Sequence, residues 1–293
     1  MTTVPTSTTL SLLAASLMAV LMVGCDTTID AVQPRDEYQF SMYGVLDVGR
    51  DTQWIRVEDL RDSLPLGARD DINATVMLTD ETTGTSVELN DSIFTFASAR
   101  DLRQHNFWTT LPIRGMHTYR IDVIREGDVR ASATTSTPDP DYDYETINVT
   151  ADSFDFVTSG IPMVAGARLD IELDAREDFG CSESPFTARL DIYASVTQTG
   201  DSEFTTPVDY VSFLDQPRYR CYRRADSLVT LHFTAAGSDW PELDAYNDLA
   251  FEDVVRPDSF SNVSGGHGYV AGVVRRTYTI DVTEENARIL SVE

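Results

Sequence analysis

Four histidines, three cysteines and 48 carboxylates are the groups in this chain with which chemistry could be done. Serine catalysis from a Gly-x-Ser-x-Gly elbow, zinc hydrolysis from His-Glu-x-x-His, a phosphate loop with its Lys and a dinucleotide fingerprint all leave recognisable motifs, and none occurs. His105 and His117 lack the spacing of two metal ligands on one strand or helix. His267 sits in Gly265-Gly266-His267-Gly268, which superficially suggests an oxyanion loop. A catalytic base needs a partner, and none can be named. The glycines there serve positive φ and close backbone approach, with Asn262 able to cap the turn. His232 alternates with Val229, Leu231 and Phe233 on the polar side of its strand and reads as exposed. Asp139, Asp141 and Asp143 offer oxygens to a hard cation but lack the Gly and terminal Glu of an EF-hand, so they read as a solvated linker. A glycosidase pair is assembled in space, and 48 acids give no means of choosing it. Trp54, Phe107 and Trp108 could stack on a ligand or fill a core. The expectation is no catalytic residue, no metal and no cofactor.

The cysteines are more specific. Cys25 follows an apolar run, Leu10 to Val23, and precedes Asp26, the first charged residue of the chain. That run has the length of a signal-peptide core and is short for a bilayer span. The stretch Leu21-Met22-Val23-Gly24-Cys25 resembles the lipobox of bacterial lipoproteins. The resemblance implies a diacylglycerol on the Cys25 sulfur, cleavage just before it, and an acylated new amine. Anchoring by more than one chain is firm, whereas a single chain binds marginally. The expected location is the bacterial cell envelope, at its outer membrane, through lipid. Cys181 and Cys221 are then an even pair in an exported protein, and a disulfide between them is expected. It would close a loop of about 40 residues and contribute ~3–4 kcal/mol.

Charge narrows the partners. The net charge is -26, and all 22 basic residues are Arg. Nucleic acid would be repelled, as would an anionic membrane face. A large net charge keeps proteins soluble in brine. High genomic GC content would also favour Arg codons, but it leaves the acid excess unexplained, so a saline habitat is the preferred reading.

The elements are short strands. Tyr38 to Val48 alternates with period two, and Gln53–Asp59 returns from the turn at 47–51. Strands follow near 74–79, 86–89, 92–96, 105–111, 119–125 and 129–135, the last two joined by Arg125-Glu126-Gly127-Asp128. This density of short strands and turns predicts a β-sandwich of immunoglobulin-like type. Pro138 and Pro140 stiffen a boundary. The second half repeats the pattern at 147–151, 167–173, 188–196, 204–213 and 227–234, and closes with a strand pair over 269–281. Asp239-Trp240-Pro241-Glu242 supplies the start of one short helix over 239–252. The expected fold is all-β, with two β-sandwich-like domains and one short helix near the C-terminus. Its divisions are a signal peptide (1–24), tether (25–35), first sandwich (36–137), linker (138–143), second β-rich domain (144–283) and tail (284–293).

Three stretches carry a further resemblance: Tyr119-Arg120-Ile121-Asp122-Val123, Ala131-Ser132-Ala133-Thr134-Thr135, and the closing Phe260-Ser261-Asn262-Val263-Ser264-Gly265-Gly266-His267-Gly268-Tyr269-Val270-Ala271-Gly272. Over about 35–283 the chain resembles an uncharacterised family of Bacteroidetes-type lipoproteins, a domain of unknown function. Its members are often encoded near TonB-dependent outer-membrane receptors. The resemblance implies an accessory role at the envelope and transfers no chemistry to any residue. The expected function is therefore a non-enzymatic binding or accessory module for an outer-membrane receptor protein. The alternative is a polysaccharide hydrolase using a carboxylate pair.

The acid excess makes a prediction about salt. Carboxylate repulsion should destabilise the fold in dilute buffer, and the screening length falls from ~10 Å at 0.1 M to ~3 Å at 1 M. The melting temperature should rise between those two sodium chloride concentrations at pH 7, and the gain should shrink near pH 4.5 as carboxylates protonate. A flat melting temperature at pH 7 would show that Arg already balances the acids locally.

Overall fold

A computed structural model describes residues 39–60, 72–96, 102–150, 152–175, 186–214, 216, 219, 222–240, 261–283 and 286–293. Cys25, Cys181 and Cys221 lie outside these residues, as does the expected helix beyond Trp240. The protein is all-β. The first half forms β1 (Phe40–Asp47), β2 (Gln53–Asp59), β3 (Thr75–Asp80), β4 (Thr85–Glu88), β5 (Asn90–Phe96), β6 (Leu102–Thr109), β7 (Thr118–Arg125) and β8 (Asp128–Ser136). The second half forms β9 (Asp143–Ile147), β10 (Ser153–Ser159), β11 (Met163–Ala175), β12 (Phe186–Asp191), β13 (Thr197–Gly200), β14 (Glu203–Asp209), helix α1 (Tyr210–Leu214), β15 (Tyr222–Ala236), β16 (Val263–Ser264), β17 (Gly266–Thr283) and β18 (Asn286–Val292).

Three sheets result. The largest has nine strands in the order β12-β11-β15-β17-β1-β2-β6-β5, with β18 also on β17. A five-stranded sheet runs β16-β8-β7-β3-β4, and a four-stranded sheet runs β13-β14-β10-β9. The small sheets pack against the large one in a sandwich-like arrangement around two cores. One core joins Phe40, Met42, Ile55 and Phe107 of the large sheet to Val76, Leu78, Ile121 and Val123 of the five-stranded sheet. The other joins Leu169, Leu231, Phe233 and Tyr278 to Phe154, Phe156 and Phe204 of the four-stranded sheet. Strand β17 enters both cores, through Val270 in the first and Val274, Tyr278 and Ile280 in the second. Those residues share one parity, so both small sheets cover the same face of the large sheet. The other face carries the odd-numbered residues of β1 and β17.

Several elements depart from the periodicity, each for a local reason. The closing strand pair is one 18-residue strand, and Gly272, the one glycine within 269–281, does not break it but stays in the ladder opposite Leu46. The glycine-rich stretch before it is not an open loop. Val263 and Ser264 pair with Ala133 and Ser132, and Gly266 to Gly272 pair in parallel with Phe40 to Leu46. The strand expected over 204–213 stops at Asp209, whose Oδ1 accepts from Ser212 N at 3.0 Å and caps α1. Strand β12 likewise gives way to a 3-10 turn over Tyr193–Ser195, where Tyr193 N donates to Asp191 Oδ1 at 3.0 Å. Thr197–Gly200, polar throughout, pairs with β14. The expected tail forms β18, an edge strand that pairs with Tyr278 to Thr283.

The parallel contact requires glycine at 268. Its φ is +129°, and a Cβ there would lie 2.0 Å from the Met42 carbonyl oxygen. Gly268→Ala should therefore cost about 3 kcal/mol, read as a fall in thermal midpoint of roughly 6–12 °C. Gly166→Ala is the control. Its Cβ would meet nothing closer than 3.8 Å, and its midpoint should move by under about 2 °C.

Candidate functional site

The large sheet's face opposite the cores carries two adjacent zones, and β-ladder register defines both. Over β1, β2, β5 and β6 the zone is aromatic. Trp54 stands opposite Trp108, with ring centroids 6.1 Å apart, and lies 5.2 Å from the ring of Phe94. Tyr43 stands opposite Arg56, whose guanidinium carbon lies 5.5 Å from the Tyr43 ring centre. Tyr43 is 39% exposed, Trp54 38% and Phe94 42%. Half-buried Asn106 separates the rows as a polar partner. Of the aromatics singled out by sequence, Trp54 and Trp108 belong to this face, whereas Phe107 is 2% exposed and belongs to the core. Tyr43 and Phe94 were missed. Period-two alternation marks both as one-sided, but not which side is left uncovered.

Beyond the end of β1 the zone becomes polar. Asp47 is buried, and its turn is closed from every side. Gly49 N donates to Oδ1 at 3.1 Å, and the Gln53 amide bonds both the N–H and the carbonyl of Asp47 at 2.9 Å. Two arginines form ion pairs with its buried Oδ2, Arg275 Nη1 at 3.0 Å and Arg50 Nε at 3.3 Å. On the next strands Asp170 accepts from Arg168 Nε at 2.9 Å and Nη2 at 3.2 Å. Between Asp170 and Thr277 lies His232, with Nε2 3.2 Å from Asp170 Oδ2 and Nδ1 3.1 Å from Thr277 Oγ1. The register places Arg168 opposite His232 and His232 opposite Thr277. Together these strands rim a hollow of about 520 Å³.

Carboxylate, imidazole and hydroxyl here follow the order of a nucleophilic relay. The surroundings do not complete one. Asp170 is shared with a guanidinium, and the Thr277 N–H donates to the Glu293 carbonyl at 2.8 Å, so it is not available to a developing oxyanion. What the zone provides is donors: guanidinium N–H groups and hydroxyls. Arg276, on the core side of β17, stacks 5.1 Å over Tyr142. The Tyr142 and Tyr278 hydroxyls share a 2.8 Å hydrogen bond. Burial pushes Tyr278 up to about 12, despite hydrogen bonding and the nearby Arg276 charge, and pushes Tyr142 up as well.

Of the remaining residues singled out by sequence, His267 borders the aromatic zone, where it meets the Tyr43 ring edge-on at 6.2 Å. Asn262 does more than cap a turn: its amide bonds both the N–H and the carbonyl of Val270, at 2.9 and 2.6 Å. His105 pairs with Asp91 and His117 with Asp80, each at 2.9 Å. Burial pushes the Asp80 carboxyl up, but hydrogen bonds from His117 and Thr83 outweigh it and hold the group below its ordinary value. Asp141 pairs with Arg276 at 3.4 Å, and Asp139 accepts from Asp141 N at 2.8 Å. His232, expected on an exposed polar face, is the half-buried centre of the arginine zone.

No family model matches the chain, and no curated protein matches it.

The two arginines on Asp47 differ in worth. Arg275→Gln, which removes the shorter pair to a buried acid, should cost about 2 kcal/mol. Arg50→Gln, at a side chain 63% exposed, should cost under about 1 kcal/mol. Chemical denaturation of the two variants, each repeated in an Asp47→Asn background, measures both costs and their coupling.

Proposed function

We propose that the chain is a non-enzymatic binding module of the bacterial cell envelope, held at the outer membrane by lipid on Cys25. Its partner is an outer-membrane receptor protein, and its contact surface is the aromatic zone of the large sheet. The observation that carries this reading is the cluster of exposed rings at Tyr43, Trp54 and Phe94. A folded chain leaves such rings partly in water at a cost of ~25 cal/mol per Å² of apolar surface, and large rings are the commonest anchors of protein interfaces. Lipid attachment would hold the module on the same membrane as the receptor, which raises the effective concentration of each for the other.

The alternative is a hydrolase that cuts polysaccharide through a carboxylate pair. Such an enzyme needs one free acid and one free base across a cleft. Beside the hollow, Asp47 and Asp170 are both engaged by arginines, and Asp191 on its wall accepts from Tyr193 N, which favours binding over hydrolysis.

Crosslinking in native membranes tests the proposal. A receptor protein should be captured by the wild-type chain. Trp54→Ala combined with Phe94→Ala should weaken that capture at least tenfold, which is about 1.4 kcal/mol, while a cooperative melting transition shows that the sheet survives the loss of the Trp54–Phe94 and Trp54–Trp108 contacts. Cys25→Ala should release the protein from the membrane fraction. Turnover of a glycan with no receptor captured would reverse the ranking in favour of the hydrolase. Unchanged detergent partitioning and mature mass in the Cys25 variant would remove the anchor.

A further inference from the structure

The arginine-lined hollow is out of keeping with the chain that builds it. The whole sequence has 22 basic and 48 acidic residues. The hollow is lined by four arginines, Arg50, Arg168, Arg275 and Arg276, and by one aspartate, Asp191. Pairing with Asp47, Asp170 and Asp141 does not use all the N–H groups of these arginines. Each guanidinium carries five N–H donors in a rigid fork, and Arg275 meets Asp47 through one nitrogen while Arg168 meets Asp170 through two. The side chains of Arg50, Arg168 and Arg275, all of which line the hollow, are each more than two-fifths exposed.

The floor is made for occupancy. At Gly166 strand β11 has a register irregularity against β15, and the absent side chain leaves the space beside Thr234 empty. Thr234 and Thr277 add hydroxyls on the same face, and His232 stands between the two arginine groups. The volume, about 520 Å³, is in the range of small-molecule sites, roughly 300–1,000 Å³.

We infer that this hollow binds a small carboxylate-bearing ligand, its carboxylate held by the Arg168 and Arg275 forks and its hydroxyls by Thr234 and Thr277, with His232 fixing Thr277 from behind. Bidentate pairing to guanidinium suits carboxylate and phosphate alike. Net charge separates the two. A chain of -26 repels a multiply charged phosphate at long range more than it repels a single carboxylate. The inference is independent of the receptor-binding proposal, since it uses the other zone of the sheet.

Titration calorimetry on the full chain tests it, with galacturonate, gluconate, inorganic phosphate and a neutral disaccharide as probes. Galacturonate or gluconate should bind with a sub-millimolar Kd, and the neutral disaccharide should not. Preference for galacturonate would assign the carboxylate to a ring-form sugar acid, and preference for gluconate to an open-chain acid; either supports the inference. Arg168→Gln should weaken binding at least tenfold. Gly166→Leu removes no charge but fills the floor, and it should weaken binding as much. Thermal midpoints near wild type show that both variants fold. The inference is overturned if neither carboxylate binds, if phosphate or the neutral disaccharide binds as tightly as they do, or if both folded variants bind like wild type.

Discussion

Strand β17 has to satisfy neighbours that belong to different parts of the chain. Its first half pairs in parallel with β1, its second half pairs with β15 on one edge and with β18 on the other. Its inward side chains enter both hydrophobic cores. A parallel pair cannot be closed by a hairpin, so its partners come from opposite ends of the described chain. The approach is close enough that side chains are excluded at intervals. A Cβ on Gly266, Gly268 or Gly272 would lie within 2.5 Å of a carbonyl oxygen of Phe40, Met42 or Ser136. The glycine pattern of the C-terminal motif is thus a packing requirement. The sheet cannot become continuous until the end of the chain has been made and returned to its beginning.

Covering one face of a nine-stranded sheet with two smaller sheets leaves the opposite face to the odd-numbered residues of β1 and β17 and their register partners. On β1, β2, β5 and β6 those include the rings of Tyr43, Trp54, Phe94 and Trp108, and on β11, β15 and β17 they include Arg168, Asp170, His232, Arg275 and Thr277. The change occurs at the end of β1, where Asp47 is the last residue paired to β17 and Arg275 continues past it. Asp47 therefore has a structural role, as the acid that holds Arg275 and Arg50 at the border between the zones.

Acidic surface and arginine hollow are compatible because the two act at different ranges. Repulsion among distant carboxylates is screened within a Debye length, whereas a guanidinium fork acts through hydrogen bonds at contact distance and depends less on salt. A chain without lysine places every positive charge on a planar, multidentate group. That composition suits contact pairing better than long-range attraction.

Sequence determined the all-β class and most of the strands, because period-two alternation follows directly from the pleat. It placed Trp54 and Trp108 among the candidate contacts and identified the glycine-rich motif around Gly268 as a site of close backbone approach. It did not determine that Phe107 turns inward while Trp108 turns outward, since alternation fixes opposite faces without naming the buried one. Nor did it bring Arg168, His232, Thr277 and Arg275 together. Those residues lie on three strands whose adjacency follows from the sheet order β11-β15-β17, a long-range pairing with no local signal. Asp47 and Arg275 are 228 positions apart, and only the parallel return of β17 along β1 makes them an ion pair.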